Sequence, residues 1–318
     1  PPQANNNGSA SFSYPIPIPS GRQGVQPNIA VQYNSSGGNG WMGLGFDLSL
    51  PSITVETRWG VPLYSHELET ESYSVSGEQM LPLVYRSSYE PRSTGDKEFF
   101  PRIEGAFNKT IRHGNAPDNY WWEVIDKSGT ISYYGKRHDA DEVNTSAVLT
   151  DYQGNIAHWA LTETVDLNGN NVKYFYVIEE HSGVANTDLG TQIYIDKIHY
   201  AGNENELGKY RIEFKRDGAE NCQREDVIIS ANYGFKQVTA DLLRYIDVYF
   251  ENELIKRHFF VYTKGVFGKS LLTCIGEATD VVAINCNNKN CKDLHDLDSS
   301  LIVTHHFDYF NEIQNGNL

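Results

Sequence analysis

Between Gly8 and Tyr64 the chain carries an unusually dense set of backbone instructions and almost no chemistry. Phe12, Tyr14, Ile16 and Ile18 occupy alternate positions, so an extended chain places all four on one face. Pro15, Pro17 and Pro19 fall on the opposite face and donate no amide hydrogen. Such a strand suits a sheet edge or a wrapping arm, not a sheet centre. Ile29, Val31 and Tyr33 repeat the alternation after Pro27. Gly37, Gly38, Gly40, Gly43 and Gly45 then allow positive φ and close backbone packing. This segment specifies architecture.

The rest of the chain points to the same class. Its 318 residues can bury a large core, in one big β-domain or two smaller ones. There are 20 Tyr and 14 Phe but only 2 Met, and aromatic residues favour pleated, half-buried surfaces. Long 3.6-residue periodicity is missing almost everywhere. The formal net charge of −15 opposes nucleic-acid binding, which needs clustered Lys and Arg, and opposes attraction to anionic membranes. No apolar run approaches the ~18 residues of a membrane-spanning helix. No secretory signal is visible. The opening Pro-Pro-Gln-Ala-Asn-Asn-Asn reads as a linker without an initiator Met, so the natural N-terminus is expected upstream.

Residues 1–10 are read as linker, 11–64 as an arm with short strands, and 65–318 as a sheet of antiparallel hairpins. Polar loops such as Ser87–Glu98 interrupt the strands up to Asn119. From Tyr120 the pattern is regular: Tyr120, Trp122 and Val124 share a face, Asp126–Gly129 makes a turn, and Ile131 and Tyr133 return. Asp151–Asn155 and Asp166–Asn170 are further turns, because Asp, Asn and Gly supply local hydrogen bonds and positive φ. Tyr174, Tyr176 and Ile178, then Ile193 with Ile195, Ile212 with Phe214, and Ile246, Val248 and Phe250 continue the alternation. The expectation is an all-β protein, an extended antiparallel sheet of hairpins that curls because strands twist in one sense. Short helices are expected only within Ala219–Ser230 and Gln237–Leu243.

Few residues invite a chemical reading. Asp166, Asn168 and Asn170 have the alternate spacing of a calcium loop, but Gly is fourth and Val177 stands where the bidentate Glu belongs, so a hairpin turn is the better reading. Gly37–Gly45 lacks the Lys and following helix of a phosphate loop. Trp41, Trp59, Trp121, Trp122 and Trp159 suit packing, with stacking on sugar rings as the alternative. His305 and His306 are adjacent and point to opposite strand faces. Cys286 and Cys291, followed by His295, miss the usual zinc spacing; with Cys222 and Cys274 they are read as free thiols or, in a secreted protein, a disulfide. Glu67, Glu69 and Glu71 form a Glu-x-Glu-x-Glu ladder, read as a solvated edge strand.

The order of residues in the first third resembles the SpvB-type N-terminal domain that opens the B subunits of insecticidal Tc toxin complexes. Pro15, Pro17, Pro19, Gly21, Arg22, Pro27, Tyr33, Asn34, Gly40, Trp41, Gly43 and Gly45 carry the resemblance, with Arg58, Gly60, Pro62 and Tyr64 after them. Looser matches continue through Trp122, Gly129, Trp159, Asp166–Asn170, Ser270–Leu272 and Phe307–Tyr309, whereas Asn285–Ser300 falls outside the pattern. The resemblance implies a non-enzymatic structural module of a secreted bacterial toxin or virulence protein. It would be part of a Rhs-type β-shell around a toxic C-terminal polypeptide. Implied partners are downstream Rhs-type repeats of the same polypeptide, a toxin C-subunit as cargo and a pore-forming A-subunit. No cofactor, metal or nucleic acid is implied. An ADP-ribosyltransferase in this family uses a Glu-x-Glu pair, but in a separate C-terminal domain with an upstream Arg and a Ser-Thr-Ser strand. Only Arg58 closely precedes Glu69 and Glu71 here, and no Ser-Thr-Ser occurs. The competing reading is a stand-alone glycan-binding or adhesion module using Trp121, Trp122 and Trp159.

Overall fold

The computed structural model describes residues 3–4, 8–82, 89–103, 105–216, 224–279 and 302–309. Following the hydrogen-bonded partners from strand Ser52–Val55 leads through Tyr73–Val75, Glu78–Pro82, Lys97–Pro101 and Lys109–His113. It continues through Trp121–Ile125, Ile131–Tyr134 and Ile156–Val165 and returns to Ser52–Val55, all antiparallel. The curled sheet therefore closes into a barrel at this end, which removes its free edges.

The strand Ile156–Val165 belongs to both halves of the molecule. Its first residues pair with Ser52–Val55, and Glu163–Val165 pair along the same edge with Asn171–Lys173. From there a long sheet runs through Asn170–His181, Gly190–Asn203, Tyr210–Arg216, Leu243–Phe250, Glu253–Lys264, Ser270–Ala278 and Ile302–His306. Bulges recur along it, including the offsets at Phe175/Tyr176 and Val261/Tyr262, and each adds local twist.

Three hairpins end in the same device. Asp126, Asp151 and Asp166 each accept backbone N–H bonds two and four residues on, and Gly129, Gly154 and Gly169 take positive φ. The turns expected at these places are all present, and the Asp166 carboxylate is occupied by backbone amides. Among the described residues there is no α-helix, only single 3-10 turns such as Arg22–Gly24 and Val266–Gly268. The helices expected in Ala219–Ser230 and Gln237–Leu243 are corrected accordingly. Ile228–Ser230 and Gln237–Thr239 pair as strands, because neighbouring chain offers them partners that a short helix lacks; 217–223 lie outside the described residues.

The arm forms a small sheet of its own, in the order Gln3–Ala4, Ala10–Pro15, Ala30–Asn34 and Phe46–Leu48. Its alternation is as expected. Tyr14 and Ile16 are buried, while Pro15 and Pro17 are exposed. Tyr14, Ile16, Ile29, Val31, Phe46 and Leu48 join one hydrophobic cluster with Ile198, Tyr200, Ile212, Phe214, Ile246, Phe260 and Ile275 of the long sheet. Burial of large side chains at about 1.5–3 kcal/mol each makes this the main adhesive between arm and sheet.

Gly43 shows how close the approach is. It sits at φ +82°, and a Cβ there would lie 2.6 Å from the Ser270 carbonyl oxygen. Gly43→Ala is expected to destabilise the protein by about 1–3 kcal/mol and to expose residues 8–50 to protease. Urea denaturation with limited proteolysis checks this; an unchanged midpoint and cleavage pattern would show that the seam is looser than described.

Candidate functional site

Two constructions carry the residues that the sequence singled out, and the first is the seam between arm and sheet. Tyr14 Oη donates to Glu277 Oε1 at 3.0 Å, and Tyr200 Oη donates to the Pro19 carbonyl at 3.0 Å. The Leu243 amide donates to the Trp41 carbonyl at 2.8 Å. The turn Arg22–Gly24 presents Gln23, whose side-chain oxygen accepts from Asn170 Nδ2 at 2.9 Å.

A clamp unnoticed in the sequence fixes the glycine-rich segment. Arg224 donates to the Gly40 carbonyl at 2.7 Å and to Asn39 Oδ1 at 2.9 Å, while Asp226 accepts from Asn39 Nδ2 and from the Ser270 amide and hydroxyl. Burial alone would raise the Asp226 carboxyl, but Arg224 and the Ser270 donors hold it down at about 2. Nothing local in the sequence marks these two residues, because the groups they clamp, at Asn39, Gly40 and Ser270, lie more than forty residues away.

Of the remaining signature positions, Gly21 turns the chain before Arg22, Pro27 is buried, and Gly45 lies against the Tyr33 ring. Asn34 Oδ1 accepts the Ser36 amide at 2.9 Å. Arg58, Gly60 and Pro62 stand apart on a loop with exposed Trp59, Val61 and Leu63, and Tyr64 Oη donates to the Tyr233 carbonyl at 2.9 Å. Arg58 pairs with Glu56 and not with Glu69 or Glu71.

The second construction lies inside the barrel. Glu69 and Glu71 are 1% and 4% exposed, so the solvated edge strand expected for them is wrong. They belong to the connection before Tyr73–Val75, held to the chain near Pro91 by an isolated bridge and by Glu69 N–H and Arg92 N–H bonds. Arg112 grips both Glu69 oxygens at 2.6 and 3.0 Å and donates to Tyr73 Oη at 3.1 Å. Arg92 meets Glu71 at 2.7 Å and also donates to the Ser65 and Leu68 carbonyls. Burial would raise the Glu69 carboxyl, and the Arg112 hydrogen bonds and charge outweigh it, leaving it at about 2. Both carboxylates are thus engaged by buried arginines and shielded from solvent. The sequence shows an acidic ladder but not its cations, which come from other strands.

The tryptophans divide. Trp122 and Trp159 are 0% exposed and pack edge-to-face with Tyr73, so neither can be an exposed stacking platform. Trp121 is half-buried against His113, with ring centroids 4.0 Å apart. His305 is wedged against Phe12 and Tyr14 of the arm. Cys274 is disulfide-bonded and fully buried, which corrects the free-thiol reading for it; Cys222, Cys286, Cys291 and His295 lie outside the described residues, as does Asn285–Ser300. His138, Asp139 and Glu163 bring possible metal-ligand atoms within 4.8 Å of one another. The Lys173 ammonium lies 3.6 Å from Glu163 and 3.7 Å from Asp139, so a cation is already in place there.

A family described as SpvB, the Salmonella virulence plasmid 65kDa B protein, matches residues 4–235. The chain belongs to the SpvB family. The mono(ADP-ribosyl)transferase SpvB of Salmonella typhimurium (strain 14028s / SGSC 2262) is 28% identical over 218 residues, covering 62% of this chain and 36% of that protein. The chain thus spans about a third of the length of that curated relative. The N-terminal domain of effector protein SpvB from S. typhimurium strain LT2 superposes with a TM-score of 0.69 at 21% identity, over 84% of this chain and 98% of that one. TcdB2-TccC3 superposes with a TM-score of 0.72 at 19% identity, over 93% of this chain and 16% of that one. The family assignment and the all-β expectation therefore hold, and the region of the transferase that this chain resembles in fold is its N-terminal domain.

Two predictions follow from the buried polar groups. Arg112→Leu leaves Glu69 buried and unpaired and is expected to cost about 3–5 kcal/mol, whereas adding Glu69→Leu restores most of the loss. A double-mutant cycle by urea denaturation measures this, and additive losses would refute the pairing. His258, fully buried beneath the arm, faces Glu277, with Nδ1 to Oε1 at 3.7 Å, Lys256 and Asp247 from the sheet, and the Pro17 carbonyl from the arm. Burial lowers its pKa to about 4, against the pull of Glu277. The unfolded chain, with His near 6.5, then binds more protons than the folded one between these values, so stability falls as pH drops from 6.5 to 4. His158, also pushed down to about 4, adds to the slope. His258→Phe should flatten the decline; an unchanged slope would remove His258 from the account.

Proposed function

We propose that this chain is a non-enzymatic structural module of a secreted bacterial toxin or virulence protein, one wall of a β-shell that encloses a toxic polypeptide. The observation that carries this reading is the fate of Glu69 and Glu71. The Glu69 and Glu71 carboxylates, the pair weighed for transferase chemistry, are held by Arg112 and Arg92 inside the barrel. What the chain devotes its polar groups to is holding strands together.

Three features support a wall over a self-sufficient domain. The barrel end has no free strand edge, while at the other end the outer edge of Ile302–His306 has no strand partner among the described residues. Trp59, at 80% exposed, stands with Val61 and Leu63 on a single loop, which is apolar surface that further polypeptide would cover. The fold recurs within TcdB2-TccC3, of which this chain matches 16%. In this reading the arm and sheet are one module. Its partners are downstream Rhs-type repeats of the same polypeptide, a C-subunit as cargo and a pore-forming A-subunit. Containment works by isolation: a closed sheet keeps the captive chain from proteases and from solvent.

The test uses the whole native polypeptide with its cargo. Intact assembly should protect the cargo from added protease, and deleting residues 8–50 should open the shell and leave the cargo digested. Protection that survives the deletion would show that this module is not part of the wall. Cargo digested equally fast in the intact assembly would refute encapsulation itself.

A further inference from the structure

The seam between arm and sheet is not fully closed. Two clefts of about 720 Å³ and 360 Å³ open on either side of Asn39 and Gly40, and the Asp47 side chain lines both. A third, of about 290 Å³, lies beside them and includes Asp47 again. Asp47 stands on the outer face of the arm sheet, in a cross-strand row with Ser13 and Gln32. The 360 Å³ cleft runs from there between arm and long sheet, over Trp41, Tyr176, Gln192 and His158.

Asp47 differs from the other acids of this seam. Asp226 has Arg224, Glu277 has Lys256, and Asp241 has Arg216. The Asp47 carboxylate accepts the Leu48 amide at 2.8 Å and a hydrogen bond from the Trp41 side chain, and has no cation within salt-bridge distance among the described residues. It is open to solvent through the clefts yet ringed by protein atoms, and this partial desolvation raises its pKa. His158, on the floor of the same cleft, is kept neutral by burial and offers a second polar group. A carboxylate with hydrogen bonds but no cation, at the mouth of an aromatic-walled cleft, is complementary to a positive head on an apolar stem.

We propose that this cleft receives an arginine or lysine side chain of a polypeptide, its cationic head on Asp47 and its stem along Trp41 and Tyr176. Asp47 supplies charge and two acceptor oxygens, Gln192 and His158 supply further polar contacts, and the Trp41 ring lies over the stem. Ser13, Gln32 and Asn34 line the larger cleft and offer hydrogen-bonding partners to the backbone of that polypeptide. The assignment stands on this geometry and holds whether or not the chain forms a shell.

The experiment is a calorimetric titration with N-acetyl-arginine amide, N-acetyl-lysine amide and spermidine, each at matched ionic strength. Saturable binding of either amino-acid amide is expected. It should weaken about tenfold or more in Asp47→Asn, the loss of one charge-assisted hydrogen bond, and less in Trp41→Phe. No saturable binding of either amide, or binding unchanged in Asp47→Asn, would overturn the proposal. Spermidine binding without binding of the amides would also overturn it, by assigning the cleft to a free polyamine.

Discussion

The apolar face of the long sheet has to be covered, and the arm is what covers it. A sheet with an apolar face is not stable in water unless another layer packs on that face. Here the covering layer is a small sheet of the same chain, and its prolines fall on the side away from the core. The same residues therefore do two jobs. The inward aromatic and aliphatic side chains glue the arm down, and the outward prolines deny a foreign strand the amide hydrogens it would need. Gly43 lets the arm approach the Ser270 carbonyl so closely that the Arg224–Asp226 clamp can reach across.

The barrel solves a different problem with opposite chemistry. Its core is aromatic, with Tyr73, Phe99, Trp122 and Trp159 in mutual contact. Yet Glu69, Glu71, Arg92 and Arg112 are buried beside that core. Buried pairs of this kind seldom add net stability, but they penalise every arrangement in which a partner is displaced. The connection Ser65–Ser72 has few regular backbone bonds of its own, and the two arginines give it a single docked position. Arg112 also lies 3.9 Å from the centre of the Tyr120 ring, so displacing it would expose that ring's face as well.

What was readable in the sequence was whatever is written in local order. The alternation of Tyr14 and Ile16 against Pro15 and Pro17, and the Asp-x-x-Gly turns, depend on neighbours a few residues apart. What failed to read correctly depended on partners far along the chain. Glu69 looks like a surface acid until Arg112, on a different strand, is known to sit opposite it. Gln237–Thr239 looks weakly helical until Ile228–Ser230 offers it a ladder. Trp122 and Trp159 read as packing residues, with a stacking platform as the alternative, and their full burial bears the packing reading out. The clamp formed by Arg224 and Asp226 left no trace because the groups it holds, too, lie far along the chain.

The division into closed barrel and long sheet has a directional consequence. A sheet whose first strands close on one another cannot be lengthened from that end, since each strand already has two partners. The long sheet keeps an open edge at its far end, where Ile302–His306 pairs with Ser270–Ala278 on one side alone among the described residues. The arm crosses to that far end as well: Tyr14 meets Glu277, and Phe12 meets His305 and Phe307. Phe12 and Tyr14 of the arm are thus fastened beside the strands Ser270–Ala278 and Ile302–His306. In a larger β-assembly this arrangement would couple docking of the arm to formation of that edge, because the arm's pocket for Phe12 is complete only after the strand carrying His305 is in place.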